Sequence, residues 1–273
     1  MKSFIVSIAL LTTLAASAQS YQQYIEKSYD FIARKELRAA EECLKAAMQL
    51  EPANPLNYAL LSNLGTLQRD QGKLQDALIS YSAALSAHPD NIDILNNRAA
   101  LYSELGETDK ALSDYDAILV KDSANQEALY FRGLIYVQKK DYPGAEQDFD
   151  LILKYNDKSV KARLGYAILE KMRGNYDKSE RIFNYLISML PKDMTLYEGR
   201  ADLYFMMGKV NRALSDINKV FADGKPTPAL YVLRGKIKLV RRENDSARED
   251  FETAGRMGYD AEVLKELIKL AKK

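Results

Sequence analysis

Residues 92–125 read IDILNNRAALYSELGETDKALSDYDAILVKDSAN, and the pattern of this stretch recurs along most of the chain. Counted from the first residue of each copy, positions 8 and 20 hold small residues and position 24 holds a large apolar one. Six copies follow one another every 34 residues, and residues 55–57 separate them from an earlier copy. A fixed period of this length is typical of stacked structural repeats. The copies start at Tyr21, Tyr58, Ile92, Gln126, Val160, Met194 and Pro228.

Each copy has the pattern of two short helices. Small side chains at positions 8 and 20 let two helix axes approach closely, and the side chain at position 24 fills the groove beside them. Gly at position 15 in four copies fits a left-handed residue that ends the first helix. Pro at position 32 in three copies prevents the second helix from continuing. In the second copy, Asn54 followed by Pro55 is typical of an N-cap and first-turn pair, which predicts a first helix that begins a turn early.

These positions resemble the tetratricopeptide repeat family across residues 21–259. The chain lacks the family's early Trp, and Gln68, Glu170 and Lys238 stand at position 11, which is usually aromatic. The resemblance implies an all-α fold, an α-solenoid of about seven helix-turn-helix repeats with a concave groove lined by the first helices. The repeats are expected near residues 21–54, 58–91, 92–125, 126–159, 160–193, 194–227 and 228–259, within a repeat domain at 19–259.

Residues 260–273 are expected to cap the array. Asp260 can N-cap a helix that runs to about Leu270, with one apolar and one charged face. A stacked array needs a terminal unit with a polar outer face, because its last repeat would otherwise expose core surface. The alternative is an amphipathic helix for a membrane or a partner.

Residues 1–18 have the three parts of a secretory signal peptide. Lys2 supplies a short positive region, residues 4–14 are mostly apolar, and Ala16-Ser17-Ala18 places small residues where a signal peptidase cuts. We expect cleavage after Ala18, a periplasmic or secreted mature protein, no lipid anchor and no stable membrane insertion after cleavage. The alternative is an ordinary N-terminal helix or an uncleaved anchor.

Four copies combine Arg at position 7 with Asp at position 23, 16 residues later, and the other three have neither residue. This joint occurrence predicts an ion pair between the two helices of each of these repeats. The alternative, four arginines that line an anion-binding track, does not explain why the aspartates accompany them. The predicted pairs are Arg98 with Asp114, Arg132 with Asp148, Arg200 with Asp216, and Arg234 with Asp250.

The composition argues against several classes of function. Lys and Arg number 39 and Asp and Glu number 38, a balance that disfavours a nucleic-acid partner or a polybasic membrane binder. His88 and Cys43 are the single His and Cys, too few for a zinc site or a disulfide framework. We expect His88 to end a helix and Cys43 to be a small buried residue, with a reactive thiol or an intermolecular bridge as alternatives. No nucleophile elbow, phosphate loop or dinucleotide fingerprint is present, which predicts no enzyme, no cofactor and no metal.

The resemblance places positions 2, 5, 9, 12 and 13 of each first helix on the inner face of the groove. In copies two and three these positions are mixed and polar, whereas from copy four onwards many are apolar. An exposed apolar patch of this size is unusual for a soluble monomer, and Met and aromatic residues suit an adaptable peptide site. The alternative is that some of these residues are packing positions or lie under the C-terminal cap. The predicted groove residues are Tyr130, Leu134, Val137, Leu164, Ile168, Met172, Phe205, Met206, Val232, Leu239 and Val240.

Together these features favour an exported, non-catalytic scaffold that binds a peptide or protein segment in its groove. A homo-oligomer is left open. One alternative is a glycan-binding component of a cell-envelope uptake system: 18 Tyr offer stacking surfaces, but the absence of Trp weakens this reading. The other is an accessory or regulatory subunit of an envelope enzyme complex.

Overall fold

The computed structural model describes residues 20–272, so the predicted signal peptide lies outside the described residues. Within this range the chain forms fifteen α-helices and no β-strand. The first fourteen helices form seven consecutive pairs, and the fifteenth follows the last pair. In chain order they are α1 (Tyr21–Ala33), α2 (Leu37–Leu50), α3 (Asn57–Asp70), α4 (Leu74–Ala87), α5 (Ile92–Glu104), α6 (Thr108–Lys121), α7 (Gln126–Gln138), α8 (Tyr142–Tyr155), α9 (Val160–Arg173), α10 (Tyr176–Met189), α11 (Met194–Met206), α12 (Val210–Asp223), α13 (Pro228–Val240), α14 (Asn244–Arg256) and α15 (Ala261–Leu270).

The structure divides into two compact units, one ending at Ala128 and the other beginning at Leu129. In the first unit α1 packs on α2, α3 on α4 and α5 on α6, and each pair also contacts the next. In the second unit, successive helices from α8 to α15 pack in the same way. Within residues 20–272, this succession of helix pairs confirms the predicted all-α class, an α-solenoid of tetratricopeptide type.

Six of the seven first helices start at the first residue of the predicted copy. The exception is α3, which starts at Asn57, one residue before its copy and not a full turn early. The Asn54 side chain accepts a hydrogen bond from the Leu56 N–H at 2.9 Å, so it closes a short turn ahead of the helix. The prediction that Asn54 caps α3 was therefore wrong, because its oxygen is used by a turn two residues away.

Close helix packing depends on glycine beside an aromatic ring. Phe149 is fully buried, and a Cβ atom placed on Gly133 would lie 2.6 Å from its ring. A Cβ on Gly165, in the following repeat, would lie 2.5 Å from the same ring. Phe149 is thus enclosed between two helix backbones, which ties one repeat to the next.

The turn between paired helices adopts the same backbone conformation in every repeat. Position 15 has a positive φ in all seven copies, from 61° at Lys35 to 84° at Gly174. Lys140 and Arg242 also adopt it, with φ of 63° and 62°. The left-handed conformation is therefore imposed by helix pairing, and three copies accept its steric cost without glycine.

The C-terminal helix α15 closes the second unit. Asp260 accepts hydrogen bonds from the N–H groups of Glu262 and Val263 at 2.9 and 3.0 Å, as an N-cap does. Leu264 is buried against Phe251, whereas Val263, expected on the apolar face, is 44% exposed. Among residues 20–272, no helix is long and apolar enough to cross a membrane.

Candidate functional site

In the second and third repeats most inner positions of the first helices are polar. Arg69 donates from Nε to Glu104 at 2.8 Å, an ion pair that joins α3 and α5 and stays open to solvent. Thr66 shares a 3.0 Å hydrogen bond with the Tyr81 hydroxyl of α4. These groups bond to one another, so the surface offers little apolar area to a partner. The remaining polar residues at these positions are Ser62, Asp70, Asp93, Asn96 and Ser103.

In the second unit, three residues expected in the groove are core residues. Tyr130, Val137 and Val232 retain 8%, 3% and 2% of their exposure. The ring of Tyr130 lies 6.3 Å from that of Phe149, between the paired helices. The expectation that these three side chains face a partner was wrong, since they fill the interior of the helix stack.

The C-terminal helix accounts for part of this burial. Val232 belongs to the cluster that contains Phe251 and Leu264, and Leu239 packs against the same cluster. These two residues agree with the alternative that some of the predicted groove residues lie under the C-terminal cap.

The other predicted residues retain accessible surface. Met172 and Met206 are 41% and 43% exposed, and Val240 is 62% exposed. Leu134, Leu164, Ile168 and Phe205 are half-buried.

Phe205 and Met206 border a cleft of about 530 Å³ between α9, α11, α13 and Tyr259. The same wall carries charged groups at the inner positions. Lys171 donates to Asp202 at 2.5 Å, and Glu198 accepts from the Thr227 hydroxyl. The cleft is therefore mixed in polarity, which corrects the expectation of a largely apolar surface. Its other lining residues are Gly199, Ala229, Leu230, Val232, Leu233 and Lys236.

Sequence reasoning missed these charged groups, although their positions were readable. Lys171 occupies position 12, Glu198 position 5, and Asp202 and Lys236 position 9 of their copies.

Each of the four predicted Arg–Asp pairs is a two-pronged ion pair in the structure. In every pair Nε and Nη2 of the arginine donate to the two carboxylate oxygens, over 2.6–2.9 Å. The aspartate side chains are 2–7% exposed and the arginine side chains 16–22% exposed. Hydrogen bonds to Asp114 and Asp216 raise the pKa of Arg98 and Arg200. The guanidinium groups are therefore engaged in holding paired helices together.

Two of these arginines also reach the preceding repeat. Arg98 donates to the Ser82 hydroxyl at 3.2 Å, and Arg200 donates to the Asn184 side chain at 2.6 Å. Ser82 and Asn184 occupy position 25 of their copies. Each of these arginines thus joins the second helix of its own repeat to the second helix of the preceding repeat.

A second set of ion pairs between repeats was not predicted from the sequence. Glu41, at position 21, accepts from Lys73 and Gln71 of the next repeat at 2.8 and 3.0 Å. Burial alone would raise the pKa of Glu41, but hydrogen bonds from Lys45, Lys73 and Gln71 outweigh it and lower that pKa to about 2. Glu180, also at position 21, binds Lys209 at 2.8 Å. Lys73 and Lys209 both occupy position 16 of the following copy, and the two spacings, 32 and 29 residues, differ only by the three residues 55–57 between the first two copies.

The single His and Cys lie outside the cleft. His88 is the C-cap of α4, and its ring lies 3.8 Å from that of Tyr58. Cys43 is a half-buried free thiol whose pKa is raised by burial. In the part of the chain that the structure describes, no group of His, Cys, Asp and Glu side chains is placed to hold a metal ion.

The chain is similar to known proteins of one family. A tetratricopeptide repeat family model matches residues 25–92 and 96–159. A tetratricopeptide repeat protein from Parabacteroides merdae ATCC 43184 is 66% identical over 94% of this chain and 100% of its own, with a TM-score of 0.85. No curated protein matches the chain.

Two more distant structures share the fold alone. Yeast Tom70 is 14% identical, with a TM-score of 0.66 over 94% of this chain and 64% of its own. YrrB, a TPR protein with an unusual peptide-binding site, is 16% identical, with a TM-score of 0.53 over 70% of this chain and 97% of its own. Given the 66% identity over the whole of the Parabacteroides protein and the helix pairs described above, the chain belongs to the tetratricopeptide repeat family.

Proposed function

We propose that this protein is a non-catalytic scaffold that binds a peptide or protein segment in the cleft between α9, α11 and α13. Tetratricopeptide repeats generally mediate protein or peptide binding and generally lack catalytic activity, and YrrB is a member with a peptide-binding site. The observation that carries the proposal is the cleft of about 530 Å³, in which the exposed Met206 and half-buried Phe205 stand beside charged side chains. Ligand sites combine apolar surface with a small number of placed polar groups that fix the orientation of the ligand.

Phe205 and Met206 are the anchors of this site. Their side chains lose water contact when a partner's apolar side chain fills the cleft, and such burial contributes about 25 cal/mol per Å². The flexible Met206 adapts to partners of different shape. Tyr130 and Val137 are buried and do not line the cleft, whereas Val232 lines it with only 2% of its surface exposed.

The charged groups set the register of the bound segment. Lys171 and Asp202 bind each other at 2.5 Å, and the Lys171 side chain is 12% and that of Asp202 44% exposed. The exposed carboxylate has further acceptor capacity for a partner's N–H groups. Lys236 lines the same cleft and offers a donor to a carbonyl or carboxylate.

Two methionine variants of similar exposure test whether a peptide binds in the cleft between α9, α11 and α13. A library of displayed peptides is selected on the purified protein, and the enriched peptide is titrated by fluorescence polarisation. Met206→Asp is expected to weaken binding about tenfold or more, because it places a charge against the apolar anchor. Met189→Asp is the control: Met189 is 46% exposed, against 43% for Met206, and lies on α10 outside the cleft.

Equal affinities of the two variants would refute binding in this cleft. Calorimetric heat with oligosaccharides, and no peptide enriched in the selection, would favour the glycan-binding alternative instead.

We further propose that the protein is exported and cleaved after Ala18. The proposal rests on Lys2, the apolar residues 4–14 and the small residues at 16–18. The N-terminal sequence of the protein purified from its native envelope is expected to begin at Gln19. An N-terminus at Met1 or Lys2 in cell-associated protein would refute cleavage.

A further inference from the structure

A second cleft lies on the side of the second helices in the C-terminal unit. It has a volume of about 510 Å³ and opens between α8, α9 and α10. Ile182 and Tyr166, from its lining, occupy positions 23 and 7 of the fifth copy, where four other copies carry the Arg–Asp pair. The cleft therefore coincides with a repeat in which that ion pair is absent. Its lining residues are Glu146, Asp150, Leu153, Arg163, Tyr166, Lys178, Arg181, Ile182 and Tyr185.

The missing pair explains the open space. In the third and sixth copies, the arginine at position 7 bonds both to the aspartate at position 23 and to position 25 of the preceding copy. Tyr166 makes the second of these contacts, donating its hydroxyl to Asp150 at 2.5 Å. Ile182 stands where four other copies have the aspartate of the ion pair, and it has no polar group that could bond to the residue at position 7. The side chains at positions 7 and 23 are thus not joined, and the space beside Ile182 is left for a ligand.

The carboxylates of this cleft already have donors. Glu146 accepts from Arg173 at 2.6 Å, and Asp150 accepts from Tyr166. Burial and the bond to Asp150 raise the pKa of Tyr166, so its hydroxyl keeps its proton at neutral pH. Glu146 is therefore paired with a cation, whereas Asp150 is held by a neutral hydroxyl and keeps its charge.

The guanidinium groups of the cleft are not neutralised in the same way. Arg163 donates to the backbone carbonyl of Asp157 at 2.6 Å and lies over the Tyr185 ring, 5.7 Å from its centroid. Arg181 is exposed and forms no ion pair or hydrogen bond with any residue in 20–272. Lys178, the third cation, is bound to Glu170 at 2.6 Å. Two guanidinium groups thus border the cleft without a carboxylate partner.

An apolar surface lies beside these charges. Tyr185 is 48% exposed, and Ile182 and Leu153 are half-buried in the wall. A ring or a branched aliphatic side chain fits against these three residues, while a carboxylate beside it reaches the guanidinium groups. Guanidinium–carboxylate pairs are among the strongest hydrogen-bonded contacts that proteins form.

We propose that this cleft binds an acidic peptide segment that carries a bulky apolar side chain next to its carboxylates. The apolar side chain lies against Ile182 and Tyr185, and the flanking carboxylates bind Arg181 and Arg163. The site shares no lining residue with the cleft bordered by Phe205 and Met206, although Arg181 and Met206 both border a third pocket between the two.

The first test changes the charge of the site. The probe is a fluorescein-labelled peptide, Gly-Asp-Glu-Phe-Asp-Glu-Gly, titrated by fluorescence polarisation. Arg181→Glu is expected to weaken binding about tenfold or more, because a charge-assisted bond is replaced by repulsion. Arg38→Glu, on α2, makes the same charge change at an exposed arginine outside the cleft and is expected to leave affinity within about twofold. Replacing Phe by Ala in the probe is expected to weaken binding as well.

The second test fills the cleft with an ion pair of the kind that other copies of the repeat contain. Tyr166→Arg combined with Ile182→Asp recreates the pair found in four other copies and leaves the net charge unchanged. We expect this variant to keep its helical circular dichroism and to lose about tenfold or more in affinity for the probe.

Unchanged affinity in both the Arg181→Glu and the double variant would overturn the proposal. Loss of binding with Met206→Asp but not with Arg181→Glu would also overturn it, because the probe would then occupy the other cleft. Equal affinity for the Phe and Ala probes would refute the apolar contact.

Discussion

Removing one member of the Arg98–Asp114 pair is expected to destabilise the protein more than removing both. Arg98 makes bonds of 2.8 and 2.7 Å to the carboxylate and a third, at 3.2 Å, to Ser82. The Asp114 side chain is 7% exposed, so Arg98→Met leaves a carboxylate in the interior without a cation. Breaking a buried pair in this way typically costs about 3–5 kcal/mol. The 21% exposure of Arg98 lets some water reach the site, which favours a value of about 3 kcal/mol.

The double variant Arg98→Met with Asp114→Ile removes both charges. Ile stands at the same position in the fifth copy, as Ile182, so the fold accommodates it. We expect a loss of about 1 kcal/mol, because apolar replacements of ion pairs of this kind are often nearly neutral. The single variant Asp114→Ile should fall between the two, since Arg98 keeps its bond to Ser82.

Urea unfolding followed by far-UV circular dichroism measures these changes. Urea is preferred to guanidinium chloride because a salt would screen the charges under test. The exposed pair Arg69–Glu104, with side chains 34% and 44% exposed, is the control, and its removal is expected to cost less than about 1 kcal/mol. If the losses of the two single variants simply add in the double variant, the pair is not energetically coupled and the reasoning is refuted.

Three further outcomes are expected from the same unfolding assay. Gly165→Ala should destabilise by about 1–3 kcal/mol, because its Cβ would lie 2.5 Å from the Phe149 ring; a neutral change would show that the ring can move aside. Arg242→Gly should stabilise by up to about 1 kcal/mol, because its φ of 62° costs a non-glycine residue more than glycine, and a loss of stability would refute this. Since the pKa of Glu41 is lowered to about 2, its contribution to stability is present above the ordinary Glu pKa and is lost as the pH falls towards 2. Glu41→Gln should therefore show a weaker pH dependence across that window than the unaltered protein, and identical pH profiles would contradict it.

The first helices of the repeats show how much of the fold the sequence pattern within one copy predicts. Six of seven begin at the residue that the 34-residue period predicts, because helix pairing depends on small residues at fixed positions within each copy. The seventh differs by one residue, since Asn54 serves a turn rather than the helix. Position 15 is left-handed even where Lys140 replaces glycine, because the geometry of the helix pair imposes it.

The inner positions of the first helices show that the sequence pattern within one helix does not predict which side chains are exposed. Tyr130 and Met206 are both apolar residues at predicted groove positions, yet one is 8% and the other 43% exposed. For Tyr130 the neighbour is Phe149, on the second helix of the same copy, and position within the first helix alone does not predict this contact. The Glu41–Lys73 contact joins positions 21 and 16 of successive copies, as Glu180–Lys209 does, so aligned copies carry a signal for this contact that the sequence analysis did not use.

The amino-acid sequence by itself determined the helix pairs, their period, their turns and the Arg–Asp partners, because each depends on residues within one 34-residue copy. Only the tertiary structure decided which apolar residues remain open to a partner and where clefts lie between helices. Burial depends on every element that approaches a side chain, and for Val232 that element is α15, which begins about 30 residues further along the chain.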